Sequence, residues 1–278
     1  MQKKSVISLI SYDAEYLPAS IMSYYAYVDE IILGLDKNRK TWAGNDFKFN
    51  ESKIFKELSR IDGDNKISII EEDFVVSQKF IENDNYERNF LKKQCSHDWV
   101  FSFDADEELI NPKEFFEDYL PLVEPYYKDY DLAFNWFLPY KEFDDRYLCI
   151  ASEQGWLDIN EQQGFANWKN YEFVYARWTN NAQQNRRLLK TPLAILHWSV
   201  CRPAGDLHQK INNIGHADIA DQDPFYQIWT QINLMNYKEL RNFKTSGFGD
   251  PKQWARLIEI PKDKFKQELK EHAGRIEV

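Results

Sequence analysis

The sequence predicts an α/β protein: a mostly parallel sheet covered by helices, followed by a helical C-terminal part. Three observations predict it. Short apolar runs recur through the first hundred positions, segments of helical period separate them, and acidic side chains stand where the runs end. Strand and helix in alternation is the pattern of a parallel sheet with helical crossovers.

The elements follow in order. "KSVISLI" (4–10) reads as the first strand, and 15–28 as a helix with Leu17, Ile21 and Tyr24 or Tyr25 on one face. A buried strand at 29–35 leads into turn chemistry, "DKNRKTWAGND", and a helix at 51–61. A third strand is expected at 65–73, then a polar helix at 78–95 with Phe80, Phe90 and Leu91 inward. The run at 99–103 closes the series. Beyond residue 110 the pattern changes. Asn111 and Pro112 suit an N-cap and first turn for a helix reaching residue 123. Aromatic, strand-like pieces follow at 130–140, 146–150, 171–178 and 185–190, and from Pro203 the chain reads as helical, with long candidates at 203–215 and 222–243. The C-terminal stretch is amphipathic around Phe265 and Leu269, with lysines alternating with acids, which predicts a docked helix rather than a membrane anchor. No Gly/Ser linker or repeat divides the chain, so residues 1–110 and 111–278 are expected to be two halves of one domain.

Composition narrows the function. The 278 residues are 43% hydrophobic, enough for a sizeable core, and carry a formal net charge of -10. A protein that lives on nucleic acid shows a basic face, and no long Lys/Arg block occurs here, so a polymeric nucleic-acid partner is not expected. A phosphorylated small molecule remains open, because a metal can bridge acids to phosphate. Cys95, Cys149 and Cys201 are odd in number and form no CxxC pair, which predicts reduced core thiols and a cytoplasmic protein. No stretch approaches the roughly 20 apolar residues of a membrane span, and Asp13 and Glu15 interrupt the first apolar run well short of a signal-peptide core. Peripheral membrane contact is the most that is expected.

The chemistry concentrates at "WVFSFDADEEL" (99–109), where a buried strand ends in Asp104, Asp106, Glu107 and Glu108. Ligands of open parallel sheets sit outside the carboxyl ends of the strands. In an extended segment residues i and i+2 point the same way, so Asp104 and Asp106 can face one point. Two hard oxygen ligands suit Mg²⁺ or Mn²⁺ and leave positions for water and phosphate. The bland alternative is that these acids complement the positive end of the following helix; Glu107 and Glu108 fit that role, or a solvated one, better than ligation. Tyr12, Asp13 and Glu15 follow the first strand and Asp36 ends the second. Each alone suits an ordinary turn, but three acidic strand ends on one edge can line one pocket.

These segments resemble the family 2 glycosyltransferases with the GT-A (Rossmann-like) fold, above all short bacterial members that build lipopolysaccharide and capsule. "SYDAEYL" stands where the family has a Tyr-Asn-Glu-like turn and a Leu. "VDEIILGLD" with Thr41 matches the second strand, and "ERNFLKKQCSHDWVFSFDADEEL" matches the helix, strand and metal motif through Arg88, Asn89, Asp98, Trp99, Asp104 and Asp106. Four segments fall in the right order between residues 4 and 110. Cys95 and His97 replace the usual Ala and Gly, and Asp13 stands where Asn is commoner. The resemblance implies a nucleotide-sugar-binding half at 1–110 and an acceptor-binding half with the C-terminal helices at 111–278. It implies Tyr12, Asp13 and Asp36 on the nucleoside, Arg88 near the diphosphate, Asp104 on both the nucleotide sugar and a metal, and Asp106 on the metal. The later half matches more loosely: "NRRLLK" resembles an Arg-Leu-Phe-Arg strand, with Gln183 and Gln184 where acids are usual, and "ILHWSVCRPAGDLHQKI" resembles a His with a downstream Lys.

The expected activity is therefore metal-dependent transfer of a hexosyl group from a nucleoside-diphosphate sugar, UDP-linked, to a glycan or lipid-linked glycan. Inversion follows from the family alone, and the cytoplasmic side of the inner membrane is the expected place of work. Such a reaction needs a Lewis acid on the departing diphosphate and a base on the acceptor hydroxyl. Glu153, in an irregular segment, is the candidate base, with Asp158, Glu172 and Asp218 as competitors. His197 is a lone imidazole in the apolar "LAILHWSV"; by itself it suits a core histidine bonded to a carbonyl, but the resembled family commonly supplies a late His, which implies His197 as third ligand to Asp104 and Asp106, with Mn²⁺ favoured over Mg²⁺. His97, His208 and His272 carry no expected role, and "GHADIAD" (215–221) reads as a helix junction. Trp136, Trp156, Trp168, Trp178 and Trp198 are expected to be mostly core, one or two touching acceptor. Two other classes stay open: a haloacid-dehalogenase-like phosphatase, which also carries a DxD after a strand, and a non-catalytic carbohydrate-binding protein. No GxGxxG or P-loop occurs, so dinucleotide oxidoreductases and NTPases fall away.

Overall fold

Seven consecutive buried residues make β1 (Lys4–Ile10) an interior strand. In the computed structural model, which describes residues 2–126, 128–152, 155–156, 164–180, 188–215, 217, 223–241 and 256–273, β1 pairs in parallel with β2 (Glu30–Asp36) on one side and β4 (Trp99–Ser102) on the other. β3 (Ile67–Glu72) adds in parallel to β2. The predicted parallel sheet is therefore present, and the sheet does not stop there. Its order is β3-β2-β1-β4-β10-β6-β13-β5, with β10 (Gly164–Trp168), β6 (Asp131–Phe137), β13 (Leu188–His197) and β5 (Glu107–Leu109) completing it. β10 runs antiparallel to both its neighbours, β6 and β13 are parallel, and β5 is antiparallel to β13. β3, the expected third strand, forms the sheet edge, and Ile69 is exposed there.

Three helices cover the parallel half. α1 (Leu17–Tyr24) carries Pro18 in its first turn, where a missing N–H costs nothing, and tight turns extend it at both ends over most of 15–28. α2 (Glu51–Ile61) matches its expected bounds and is capped by Asn50, whose Oδ1 accepts from Lys53 N–H. α3 is Phe80–Gln94. The expected helix after Pro112 is a widened turn at Glu114–Tyr119 followed by the short α4 (Leu120–Val123). Phe115 and Phe116 there pack on Phe101 and extend the main core beneath β1 and β4.

The C-terminal part is less helical than expected. α5 (Ala204–Ile211) and α6 (Asp223–Gln231) form, but α6 does not run on to 243. Asn233 Oδ1 accepts from Met235 N–H and Asn236 Oδ1 accepts from Asn233 N–H, local bonds that compete with helix propagation. A strand, β14 (Arg256–Pro261), then joins β7 (Pro139–Glu142) and β8 (Arg146–Ser152) in a small antiparallel sheet, with β9 (Gly155–Trp156) on β8. α7 (Lys262–Ala273) docks as its period predicts, burying Phe265, Leu269 and Ala273. No described helix is long and apolar enough to cross a membrane.

Candidate active site

Because β1, β2 and β4 run parallel, their carboxyl ends lie side by side, and acid follows each one. Tyr12 and Asp13 follow β1, Asp36 ends β2, and Asp104 and Asp106 follow β4. All five line a single crevice. Thr41 and Trp42 from the loop after β2, Glu87 from α3, and Lys210 and Asn213 at the end of α5 form the other walls. Thr41 Oγ1–H donates to Asn213 Oδ1 at 2.6 Å and ties two of those walls together.

The acids differ in what they are free to do. Asp36 accepts three main-chain N–H bonds, from Asn38 (2.9 Å) and Lys40 (3.0 Å) on Oδ1 and from Phe74 (2.9 Å) on Oδ2. Its carboxylate holds the loop in shape, the use of Asp that turns favour. Asp104 has both oxygens on guanidinium groups: Arg88 Nη2 at 2.9 Å from Oδ1 and Arg177 Nη2 at 2.7 Å from Oδ2. Burial opposes its ionisation, yet Arg177 and Arg88 hold its carboxyl down to about 2. Asp106 is 1% exposed, and its Oδ2 takes Arg202 Nη2 together with Lys210 Nζ at 2.5 Å. Burial again opposes charge, and Lys210, His197 and Arg202 together hold the carboxyl well below the usual carboxylate range. Asp13 goes the other way: burial pushes it up, Asp106 and Asp104 add to that, and Arg202 and Lys210 oppose it.

His197 meets the acidic motif through strand pairing. The β13–β5 register sets His197 opposite Glu107, and Trp198 N–H donates to Asp106 O at 2.9 Å. His197 Nε2 lies 3.5 Å from Asp106 Oδ2. Asp106 Oδ1 and His197 Nδ1 are among the buried polar atoms of the described residues that have no hydrogen-bond partner. Among the described residues no three His, Cys, Asp or Glu side chains form a group that could hold a metal ion. Of the expected ligand set, Asp106 and His197 come together, while Asp104 is turned onto its two arginines.

Arg88 lies under the motif, not in the crevice mouth. It is 3% exposed and donates from Nε to Asp84 Oδ1 at 2.5 Å and from Nη1 to Ser102 Oγ at 2.9 Å, besides its pair with Asp104. This belongs to a wider departure in α3. Leu91 points inward as expected, but Phe80 and Phe90 are only half-buried, and the fully buried face is Asn83, Asp84, Glu87, Arg88 and Lys92. Glu87 accepts from Trp42 Nε1–H at 2.7 Å. Its carboxyl is pushed up to about 8, chiefly by burial, with Asp84 and Asp36 adding to the shift and Trp42 and Arg88 opposing it. Glu107, expected to be solvated or to serve a helix dipole, is 0% exposed instead. The reason is Arg177, whose Nη1 and Nη2 each donate to one Glu107 oxygen at 2.9 Å.

Sequence reasoning missed Arg177, Arg202, Lys210 and Asp84. Lys210 had a faint signal, as a Lys downstream of His197; Arg177 had none, because it comes from a short hairpin in an aromatic stretch. Glu153, Asp158, Asp218, Gln183, Gln184, Trp156's side chain and His216 lie outside the described residues, while Glu172 is exposed. Trp136 is buried, and Trp168, Trp178 and Trp198 are half-buried. Trp198 Nε1–H donates to Glu108 Oε1 at 2.7 Å.

No protein-family model matches the chain, and no curated protein matches it by sequence. Among solved structures it is similar to S. aureus TarS residues 1–349, at 10% identity and a TM-score of 0.42, over 84% of this chain and 76% of that one. The complex of the same protein with UDP gives 11% identity and a TM-score of 0.42 over the same shares. HddC from Yersinia pseudotuberculosis is similar at 11% identity and a TM-score of 0.37, over 76% of this chain and 98% of that one. At scores this low the likenesses assign no activity; the parallel strand order and the crevice at its carboxyl edge are this chain's own.

Proposed function

We propose that the protein is a glycosyltransferase. It moves a hexosyl group, with inversion, from a nucleoside-diphosphate sugar, UDP-linked, to a glycan or lipid-linked glycan in bacterial surface-polysaccharide synthesis on the cytoplasmic side of the membrane. One observation carries the reading. Tyr12, Asp13, Asp36, Asp104 and Asp106 converge on one crevice at the carboxyl edge of a parallel sheet, with Lys210 on its wall and Arg202 beneath it. Nucleotides bind at that edge, and Lys and Arg beside it can take up the charge of a diphosphate.

A divalent ion fits part of this donor set. Asp106, with its unpartnered buried Oδ1, and the His197 imidazole are donors that Mn²⁺ or Mg²⁺ accepts. Bound there, an ion supplies Lewis-acid neutralisation of the leaving diphosphate. The protein's own part is to orient the donor. Arg202 is fixed by Trp198 O at 2.9 Å, Ser199 O at 3.1 Å and the ring of Tyr16 beneath it, so it presents a rigid charge. Lys210, at the crevice wall, can leave Asp106 for a phosphate oxygen. Glu153 takes the proton of the attacking acceptor hydroxyl in this proposal. The phosphatase alternative is disfavoured by the geometry, since it needs a carboxylate able to attack phosphorus, and Asp104 is held by two arginines.

Thermal unfolding with UDP, GDP, ADP, CDP and dTDP, each with and without Mn²⁺, tests the reading. A ligand at a hundred times its Kd stabilises by about 2.7 kcal/mol, a shift of several degrees. One nucleoside diphosphate is expected to raise the unfolding temperature, and more so with Mn²⁺. No shift with any of the five overturns the function; an equal shift in EDTA removes only the metal.

A further inference from the structure

Arg177 reaches the acidic motif by an unusual route. β11 (Phe173–Tyr175) and β12 (Trp178–Thr179) form a short hairpin in which Tyr175 pairs with Trp178, leaving Ala176 and Arg177 as the turn. Ala176 has φ of 48°, the left-handed region that favours glycine at such a turn. A side chain that tolerates this backbone is not what the position carries, so the surrounding structure must over-determine it. The hairpin is fastened to α3: Asn89 Nδ2 donates to Phe173 O at 2.8 Å, Phe173 N–H donates to Asn89 Oδ1 at 2.8 Å, and Asn85 Nδ2 donates to Val174 O at 2.9 Å. The tip is driven inward, where Arg177 is 2% exposed.

There Arg177 holds Asp104 twice. It pairs with Asp104 Oδ2 directly at 2.7 Å. It also grips Glu107 with both Nη atoms, and Glu107 Oε2 in turn accepts from Asp104 N–H at 2.9 Å, so the backbone of Asp104 is fixed through the same contact. Arg88, itself anchored on Asp84 and Ser102, takes the other Asp104 oxygen. The outcome is a carboxylate pinned between two guanidinium groups whose side chain is still 31% exposed toward the crevice. Asp106 also carries two cations, but both lie on Oδ2 and its Oδ1 has no partner, whereas each Asp104 oxygen is held by a guanidinium and keeps only a remaining lone pair for a neutral donor.

We propose that Arg177 is a positioning residue for the donor, one that holds Asp104 as a hydrogen-bond acceptor for hydroxyl groups of the nucleotide sugar and withholds it from the metal. This rests on the function proposed above and adds a role that the acidic motif does not declare. It also makes the donor site depend on a hairpin from the second half of the chain.

The test uses the full-length protein and three variants, Arg177→Lys, Arg177→Gln and Ala176→Gly, with three readouts. These are calorimetric binding of the nucleoside diphosphate that stabilises the wild type, Mn²⁺ binding in the presence of inorganic pyrophosphate by electron paramagnetic resonance, and urea unfolding. Arg177→Lys keeps the charge and loses the fork, and Arg177→Gln loses both; each is expected to weaken nucleoside diphosphate binding about tenfold, the scale of one charge-assisted hydrogen bond. Mn²⁺ binding with pyrophosphate, which has no hydroxyl for Asp104, is expected to stay the same or tighten. Ala176→Gly keeps Arg177 and eases the turn, so its nucleotide affinity should stay within about twofold of wild type while its urea midpoint holds or rises. The proposal is overturned if both Arg177 variants bind nucleotide as the wild type does and only unfold earlier, for then Arg177 is structural. It is overturned equally if Mn²⁺ and nucleotide binding fall together, or if Ala176→Gly loses as much affinity as the Arg177 variants. A wild type that binds no nucleoside diphosphate overturns the function and this proposal with it. A wild type that binds, beside an Arg177→Lys that binds as tightly, overturns this proposal alone.

Discussion

α2 and α3 stand on either side of β3 in the sequence and cover opposite faces of the same sheet. β1 sends Val6 and Ile10 into the core that holds Ile54 and Leu58 of α2, and Ile7 and Leu9 into the one that holds Leu91 of α3. α2 is an ordinary amphipathic helix that buries two aliphatic side chains and solvates its Lys and Glu. α3 buries Asn83, Asp84, Glu87, Arg88 and Lys92. The first helix is held by removal of apolar surface from water, which is non-directional. The second is held by ion pairs and hydrogen bonds that lose their value if displaced by an ångström, and the cost of burying such groups is met only when every partner is in place. The difference points to the crevice: the buried polar face of α3 reaches the carboxyl edge of the sheet, where Glu87 lines the crevice wall and Arg88 holds Asp104.

The comparison breaks most visibly at Arg88. Arg88→Met removes the cation between Asp84 and Asp104 at a site 3% exposed. Taking one partner from a buried ion pair costs about 3–5 kcal/mol, so the urea-unfolding free energy should fall by that amount and nucleoside diphosphate binding should be lost. A fall of less than about 1 kcal/mol, in the range of exposed pairs, would show that the buried polar face of α3 is not what holds it.

A second, smaller effect is a pH slope from Glu87. Its carboxyl is raised from 4.5 to about 8, chiefly by burial. Between those values the folded chain binds the proton and the unfolded chain does not, so this contribution to stability is complete below about pH 4.5 and is lost as pH rises through about 8. Glu87→Gln can still accept from Trp42 Nε1–H but cannot ionise. Urea unfolding at pH 5 and at pH 8 should show the wild type losing stability across the interval and the variant losing less. Parallel pH profiles for the two proteins would refute it.

The smallest effect belongs to α2. Asn50→Ala removes the cap on Lys53 N–H and should cost about 1 kcal/mol, with nucleotide affinity unchanged. A change in nucleotide affinity would mean that α2 is coupled to the crevice and that the contrast between the two helices is less sharp than their burial implies.

What was legible in the sequence follows from locality. The alternation of β1, α1, β2, α2, β3, α3 and β4 is written in periods of two and 3.6 residues, and helices and strands obey those periods because their geometry repeats over a few neighbours. The acids at the ends of β1, β2 and β4 were likewise readable, because parallel strands must end on one edge. His197 was expected beside Asp104 and Asp106 only through the family resemblance, since chemical type alone left a core histidine equally open. α6 was overextended because Asn233 and Asn236 turn the chain by local bonds that an apolar period does not register. β14 went unseen because its pairing with β8 lies about a hundred residues away in sequence, in contacts such as Leu257 with Ile150.

By itself the sequence determined which residues could form strands and helices, that the first half builds a parallel sheet, and that charge gathers where three strands end. Tertiary structure alone decided what the charge does. It committed Asp36 to three main-chain amides and placed Lys210 and Arg202 on Asp106. It also buried Glu107 against an arginine from a hairpin seventy residues on. The physical reason is that an ionised side chain takes its properties from what lies within a few ångströms of it, in a medium that screens little. For these residues those neighbours come from distant parts of the chain, so no local pattern carries them.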